Sequence, residues 1–121
     1  MPAATILLVE DSQLVTDALR ILFDDSGYNV LTAASVSEAV DQATSATIDI
    51  MLLDLNLPDG SGLEVLHTLR ERVSLPRVTL AMTGHNDATS RSACFEAGCA
   101  DVLLKPVPIG DLLRQIDRHL A

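Results

Sequence analysis

Tryptophan is absent from the 121 residues, and phenylalanine and tyrosine together make up only 2% of the chain. Any core must therefore be aliphatic. A stacking platform for single-stranded nucleic acid, which needs exposed rings, is excluded. No apolar run is long enough to span a bilayer. The N-terminal MPAAT lacks the basic stretch and apolar run of a signal peptide, so a cytoplasmic location and no membrane partner are expected. The two cysteines, Cys94 and Cys99, are too few for a disulfide framework and have no metal-ligand spacing around them. They read as two small buried or half-buried side chains. Lysine is nearly absent: Lys105 is the only one, and seven arginines supply the remaining positive charge.

What is present is apolar and acidic. The apolar fraction is 48%, enough for a compact domain and against disorder. The length fits one domain over residues 1–121. The formal net charge is −9, which disfavours nucleic acid and anionic lipid as direct partners. It suits a bound cation or a basic partner. If the chain belongs to a DNA-binding protein, the DNA-binding part lies outside it.

Short aliphatic runs alternate with helix-periodic segments. Thr5–Val9 (TILLV) reads as a strand buried on both faces, and Leu14, Val15, Ala18, Leu19, Leu22 and Phe23 follow at helical spacing. Gly27 ends that helix. Asn29–Ala33 is a second strand, and Ser35 or Ser37 caps a helix bearing Val36, Ala39, Val40 and Ala43. Asp49–Leu55 is a third strand, Asn56–Ser61 (NLPDGS) a loop, and Gly62–Arg72 a helix. Arg77–Met82 is a fourth strand. Asn86 or Asp87 caps a helix of small residues that stops at Gly98. Asp101–Leu104 is a fifth strand, and Pro106 and Pro108 lead into a helix with Ile109, Leu112, Leu113, Ile116 and Leu120. Five strand-then-helix units predict an α/β fold: a flavodoxin-like, doubly wound parallel sheet in the order 2-1-3-4-5, with right-handed crossovers.

In such sheets the site lies beyond the carboxyl ends of the strands. The first strand ends in Glu10-Asp11, the third in Asp54 followed by Asn56, the fourth in Thr83-Gly84 and the fifth in Lys105-Pro106. Each group has an ordinary structural role open to it. Asp11 or Ser12 can cap the first helix, Thr83 can be a strand-end β-branched residue, and Lys105 can be a solvated charge. Asp54 is harder to dismiss, because a carboxylate at the end of a central aliphatic strand is costly unless compensated. Clustered carboxylates attract a hard cation, and Mg²⁺ takes oxygen ligands from few carboxylates plus a phosphate. A carboxylate beside such an ion can act as a nucleophile toward phosphorus, with a lysine and the ion neutralising the transferring group.

ILLVEDS at Ile6–Ser12, LLDLNLPDGSG at Leu52–Gly62, MTG at Met82–Gly84 and AGCADVLLKP at Ala97–Pro106 come in this order and at these intervals. The sequence closely resembles the receiver domains of bacterial two-component response regulators, over about Thr5 to Leu120. The resemblance implies that Asp54 is the phosphoacceptor. It implies that Asp11 and Asp54 ligate Mg²⁺ by side chain, Glu10 mostly through water, and Asn56 by its backbone carbonyl. Thr83 bonds a phosphoryl oxygen after phosphorylation, and Lys105 pairs with Asp54 before it and the phosphoryl group after it. Lys105-Pro106 is expected to be cis, aiming the ammonium into the site. Asn56 and His85 stand where family members tune the lifetime of the phosphorylated state. The implied donor is a sensor histidine kinase or phosphotransfer protein, and the role is that of a switch controlling an output partner rather than a metabolic enzyme.

One position departs from the pattern. Receiver domains usually carry Tyr or Phe three residues before the lysine, and this chain has Val102. A haloacid-dehalogenase-like phosphatase shares the Asp, Mg²⁺, Thr or Ser and Lys set, but needs a second Asp two residues after the nucleophile; here that residue is Asn56, which cannot serve as a general acid. A flavodoxin-like cofactor binder needs a Ser/Thr/Gly-rich phosphate loop after the first strand, where this chain has Glu10-Asp11-Ser12.

Overall fold

The computed structural model describes residues 3–84 and 88–120. Strands β1 (Thr5–Val9), β2 (Asn29–Ala33), β3 (Ile50–Asp54), β6 (Val78–Thr83) and β7 (Asp101–Leu104) form one parallel sheet, ordered β2-β1-β3-β6-β7. Apart from a short hairpin between β3 and β6, this is the expected order of the five units. Helices α1 (Gln13–Asp25), α2 (Val36–Ser45), α3 (Leu63–Glu71) and α4 (Ala88–Ala97) lie in the crossovers, and α5 (Ile109–Leu120) follows the last strand.

Strand alternation splits the core into two layers. Leu7, Val9, Met51, Leu53 and Ala81 face α2, α3 and α4. Ile6, Leu8, Ile50, Leu52, Leu80 and Met82 face α1 and α5, where Phe23, Leu112 and Ile116 close over them. All five residues of β3 are buried, which is why this segment reads as an unbroken aliphatic run ending in an acid. The scarcity of aromatics is met as expected, by aliphatic packing with Phe23 as the one fully buried ring.

Caps set where the helices begin. Ser12 caps α1 by accepting from Val15 N, so Asp11 is not needed there. Ser35, not Ser37, caps α2, accepting from Glu38 N at 3.1 Å. The expected caps of α4, Asn86 and Asp87, lie outside the described residues. Helix α4 ends at Gly98, whose φ of +110° is left-handed, and Cys99 N donates to Cys94 O at 3.0 Å. That 6→1 closure commonly brings together the side chains on either side of the turn, here Cys94 and Cys99, both buried and both free thiols. Burial, then the neighbouring Cys94, pushes the Cys99 thiol up to about 12, so it is a packing residue rather than a reactive one.

Asn56–Ser61 departs from the expected loop. It is a small antiparallel hairpin, with β4 (Asn56–Leu57) paired to β5 (Gly60–Ser61). Pro58 and Asp59 form its two-residue tip, so the turn composition was correctly read but the pairing around it was not.

Candidate functional site

Register brings the acids together. β1 is paired with β3 so that Val9 lies opposite Leu53, which puts Glu10 and Asp11 beside Asp54 as both strands end. Carboxylate oxygens of Glu10, Asp11 and Asp54 lie within 4.8 Å of one another. Glu10 and Asp54 are 4% and 3% exposed, so two of the three charges are withdrawn from water, while Asp11 stands at the surface. Glu10 N bonds Ala33 O at 3.0 Å, which holds its backbone to the end of β2.

Lys105 provides the compensating charge. Its Nζ lies 2.9 Å from Asp54 Oδ2 and 3.2 Å from Glu10 Oε2. The Lys105-Pro106 peptide is cis, and Lys105 N donates to Thr83 O at 2.8 Å. Asp54 Oδ1 accepts from Asn56 N at 3.0 Å, and Glu10 Oε1 accepts from Ser12 N at 3.2 Å. Burial, opposed by the Ser12 bond and reinforced by the charge of Asp54, leaves the Glu10 carboxyl above its usual range. Burial pulls the Lys105 ammonium down, but its hydrogen bond and charge pairing with Asp54, then with Glu10, outweigh it and leave it raised.

Thr83 ends β6 one residue beyond Met82, the register partner of Asp54, and is buried. Gly84 follows with open space where a Cβ would stand. Every donor in the acidic pocket is a hard oxygen, a set that fits Mg²⁺ and not a soft metal. Repulsion between two buried carboxylates, relieved only in part by a half-exposed lysine, leaves the pocket, with Asp11 beside it, receptive to a cation. His85 lies outside the described residues.

Val102 is buried, in the core layer that also holds Ala81, Cys94, Ala97 and Cys99. Arg91 of α4 reaches back over it: Nη1 lies 3.5 Å from Val102 O, and the guanidinium sits 5.8 Å from the Phe95 ring centroid. The position usually held by an aromatic is thus part of the interior here.

Two residues of the site region carry more than their sequence context suggests. Gly62 has ordinary helical dihedrals (φ −55°, ψ −28°), so its backbone does not require glycine. Space does: a Cβ there would collide with the carbonyl oxygen of Asp54 and stand 3.1 Å from Leu55 Cα. Asp59 reads as a turn former, yet its carboxylate bonds Val36 N at 2.8 Å and Ser37 N at 3.1 Å on α2. The first of those bonds chiefly holds the Asp59 carboxyl below its usual range. The glycine in the LPDGSG run was a visible signal; the reach of Asp59 to α2 had none.

Residues 6–117 match the family described as the response regulator receiver domain. The KDP operon transcriptional regulatory protein KdpE of Escherichia coli is 33% identical over 107 residues, covering 88% of this chain and 47% of that protein. The cell cycle transcriptional regulator CtrA of Caulobacter vibrioides is 31% identical over 112 residues, covering 92% of this chain and 48% of that protein. The chain therefore spans about half the length of the curated relatives it matches. Among solved structures, the chemotaxis protein CheY4 of Vibrio cholerae superposes with a TM-score of 0.91 at 28% identity, covering 98% of this chain and 99% of that one.

Proposed function

This chain belongs to the response regulator receiver domain family, the phosphoacceptor modules of two-component systems, and on that premise we propose that Asp54 is its phosphoacceptor. The observation that carries the assignment is the placement of Asp54. It is a buried carboxylate at the end of the central strand, bonded on one oxygen by Lys105 and on the other by Asn56 N, with Glu10 and Asp11 alongside.

The chemistry follows from that placement. An oxygen of Asp54 attacks phosphorus of a phosphohistidine donor, the phosphorus–nitrogen bond breaks, and the electron pair leaves with the donor imidazole. The product is an acyl phosphate on Asp54, and water later returns it to carboxylate and phosphate. Asp11 and Asp54 would hold Mg²⁺ by side chain, with Glu10 acting through water and Asn56 offering its backbone carbonyl; the ion would supply charge neutralisation at the transferring group. Lys105 shifts from the Asp54 carboxylate to the phosphoryl oxygens, and Thr83 donates its hydroxyl to one of them. Asn56 and His85 tune how long the acyl phosphate survives.

The receiver unit spans the chain as a single domain, and its partners are a sensor histidine kinase or phosphotransfer protein and an output element. The net charge of −9 argues that any DNA contact is made outside these residues. Among the described residues no helix is long and apolar enough to cross a membrane; the cytoplasmic location we propose rests on the family.

The test is intact-mass measurement after incubation with a small phosphodonor and Mg²⁺. One phosphoryl group is expected on the wild type, and none after prior chelation or in Asp54→Asn. Equal labelling of Asp54→Asn overturns the assignment.

A further inference from the structure

We propose that Asp59 is a positioning residue for the metal site: by tying the tip of the β4–β5 hairpin to helix α2, it holds the Asn56 carbonyl in place for the cation. The inference rests on the reading of Asn56 as a ligand.

The hairpin cannot hold itself. It has two residues in each strand and pairs with no other strand, and even longer isolated hairpins are marginal in water. Its base is anchored beside the site, where Asn56 N bonds Asp54 Oδ1 at 3.0 Å and Gly62 N bonds Leu55 O at 3.0 Å. Leu57 packs against the core, and among the described residues the hydrogen bonds that tie the tip, residues 58 and 59, to the body of the domain are those of Asp59.

The partner of that anchor is built for a carboxylate. A helix leaves its first four N–H groups without intrahelical partners. In α2, Glu38 N is taken by Ser35 Oγ, and Val36 N and Ser37 N are taken by the two oxygens of Asp59. The positive end of the helix dipole favours the negative charge. Asp59 therefore has a fixed position against the body of the domain. Asn56, three residues away, is held by Asp54 at its amide, and beyond its carbonyl by the packing of Leu57 on the core and by the Asp59 clamp.

A carbonyl held in place binds a cation more tightly than one that must be ordered on binding. Outer partners of metal ligands typically contribute 10–100-fold in affinity; for an exposed clamp on a backbone ligand the expected effect is smaller, about 3–10-fold. Asp59→Asn keeps one acceptor oxygen of two and should fall between Asp59→Ala and the wild type.

The experiment is calorimetric titration of the unphosphorylated full chain with MgCl₂, alongside hydrogen exchange of the 56–61 amides. Wild type, Asp59→Ala, Asp59→Asn and Ser35→Ala are compared. Ser35→Ala removes a cap from the same helix without touching the hairpin. The expected result is weaker Mg²⁺ binding and faster exchange in Asp59→Ala, an intermediate Asp59→Asn, and Ser35→Ala close to wild type. Labelling by a small phosphodonor at saturating Mg²⁺ should stay within about twofold in all of them, since the clamp acts on affinity and not on the transfer. Wild-type affinity in Asp59→Ala overturns the proposal, as does an equal loss in Ser35→Ala, which would trace the effect to helix stability. If Asp59→Ala does not fold, Asp59→Asn against Ser35→Ala makes the same distinction. Failure of the wild type to bind Mg²⁺ would instead overturn the metal reading itself.

Discussion

Lys105 Nζ lies 2.9 Å from Oδ2 of Asp54, the carboxylate that also stands beside Asp11. Its contact with Glu10, at 3.2 Å, makes one ammonium serve two buried carboxylates. Lys105→Ala should therefore destabilise the metal-free fold, by less than the 3–5 kcal/mol of a fully buried broken pair because the lysine is 35% exposed; about 1–3 kcal/mol is expected. Mg²⁺ binds the folded site, so tenfold excess over Kd should add about 1.4 kcal/mol to the wild type. It should rescue Lys105→Ala by at least as much. Thermal melts with and without MgCl₂ check both, and an unmoved wild-type Tm at millimolar Mg²⁺ would show that the acidic pocket holds no cation.

Gly62→Ala should cost stability although the backbone at 62 is helical. The added methyl meets the carbonyl of Asp54 and must displace the strand end that carries it. Overpacking of this kind costs about 1–3 kcal/mol. The urea midpoint should fall, and phosphorylation of Asp54 should slow with it. A variant as stable and as active as the wild type would mean the close approach relaxes freely.

Tyr28 is the only tyrosine and there is no tryptophan, so tyrosinate absorbance reports this residue alone. Its hydroxyl bonds Asp117 of α5. Burial first, then that bond and the Asp117 charge, push its pKa up to about 12 from 10.0. A folded pKa above the unfolded one means stability that is fully present below pH 10 and lost as pH rises through about 12. Asp117→Asn should lower the titration midpoint toward, but not to, 10.0, since burial remains. A midpoint near 10.0 in the wild type would contradict the contact.

Val102 rules out ring rotation as the element that responds to phosphorylation, and a switch still needs two states to choose between. Helix α4 is the expected responder: of its ten residues only Cys94 and Ala97 are buried. Its C-terminal end is pinned, because Arg70 Nη2 of α3 bonds Ala97 O at 2.7 Å. Beryllofluoride should therefore alter amide exchange in the segment after Thr83 and in the first turns of α4 more than in Cys94–Ala97, with a response around Lys105. Unchanged protection there, with a change on a distant surface, would exclude this route.

The aliphatic runs, their spacing and the polar residues at their ends determine the α/β order and which groups reach the carboxyl edge. This information is local: a strand buried on both faces must be apolar throughout, so Ile50–Leu53 reads as central and the acid after it as exceptional. The hairpin in Asn56–Ser61, the need for glycine at 62 and the clamp of Asp59 were decided only in three dimensions. Asp59 and Val36 are 23 residues apart, and nothing in either neighbourhood names the other. Gly62 has dihedrals that any residue adopts, so its requirement comes wholly from the backbone of Asp54 packed against it. The inward packing of Val102, under Arg91 and among the α4 side chains, is likewise a property of how the helix lies on the sheet, since a valine at that point of an edge strand is compatible with either face until α4 covers one of them.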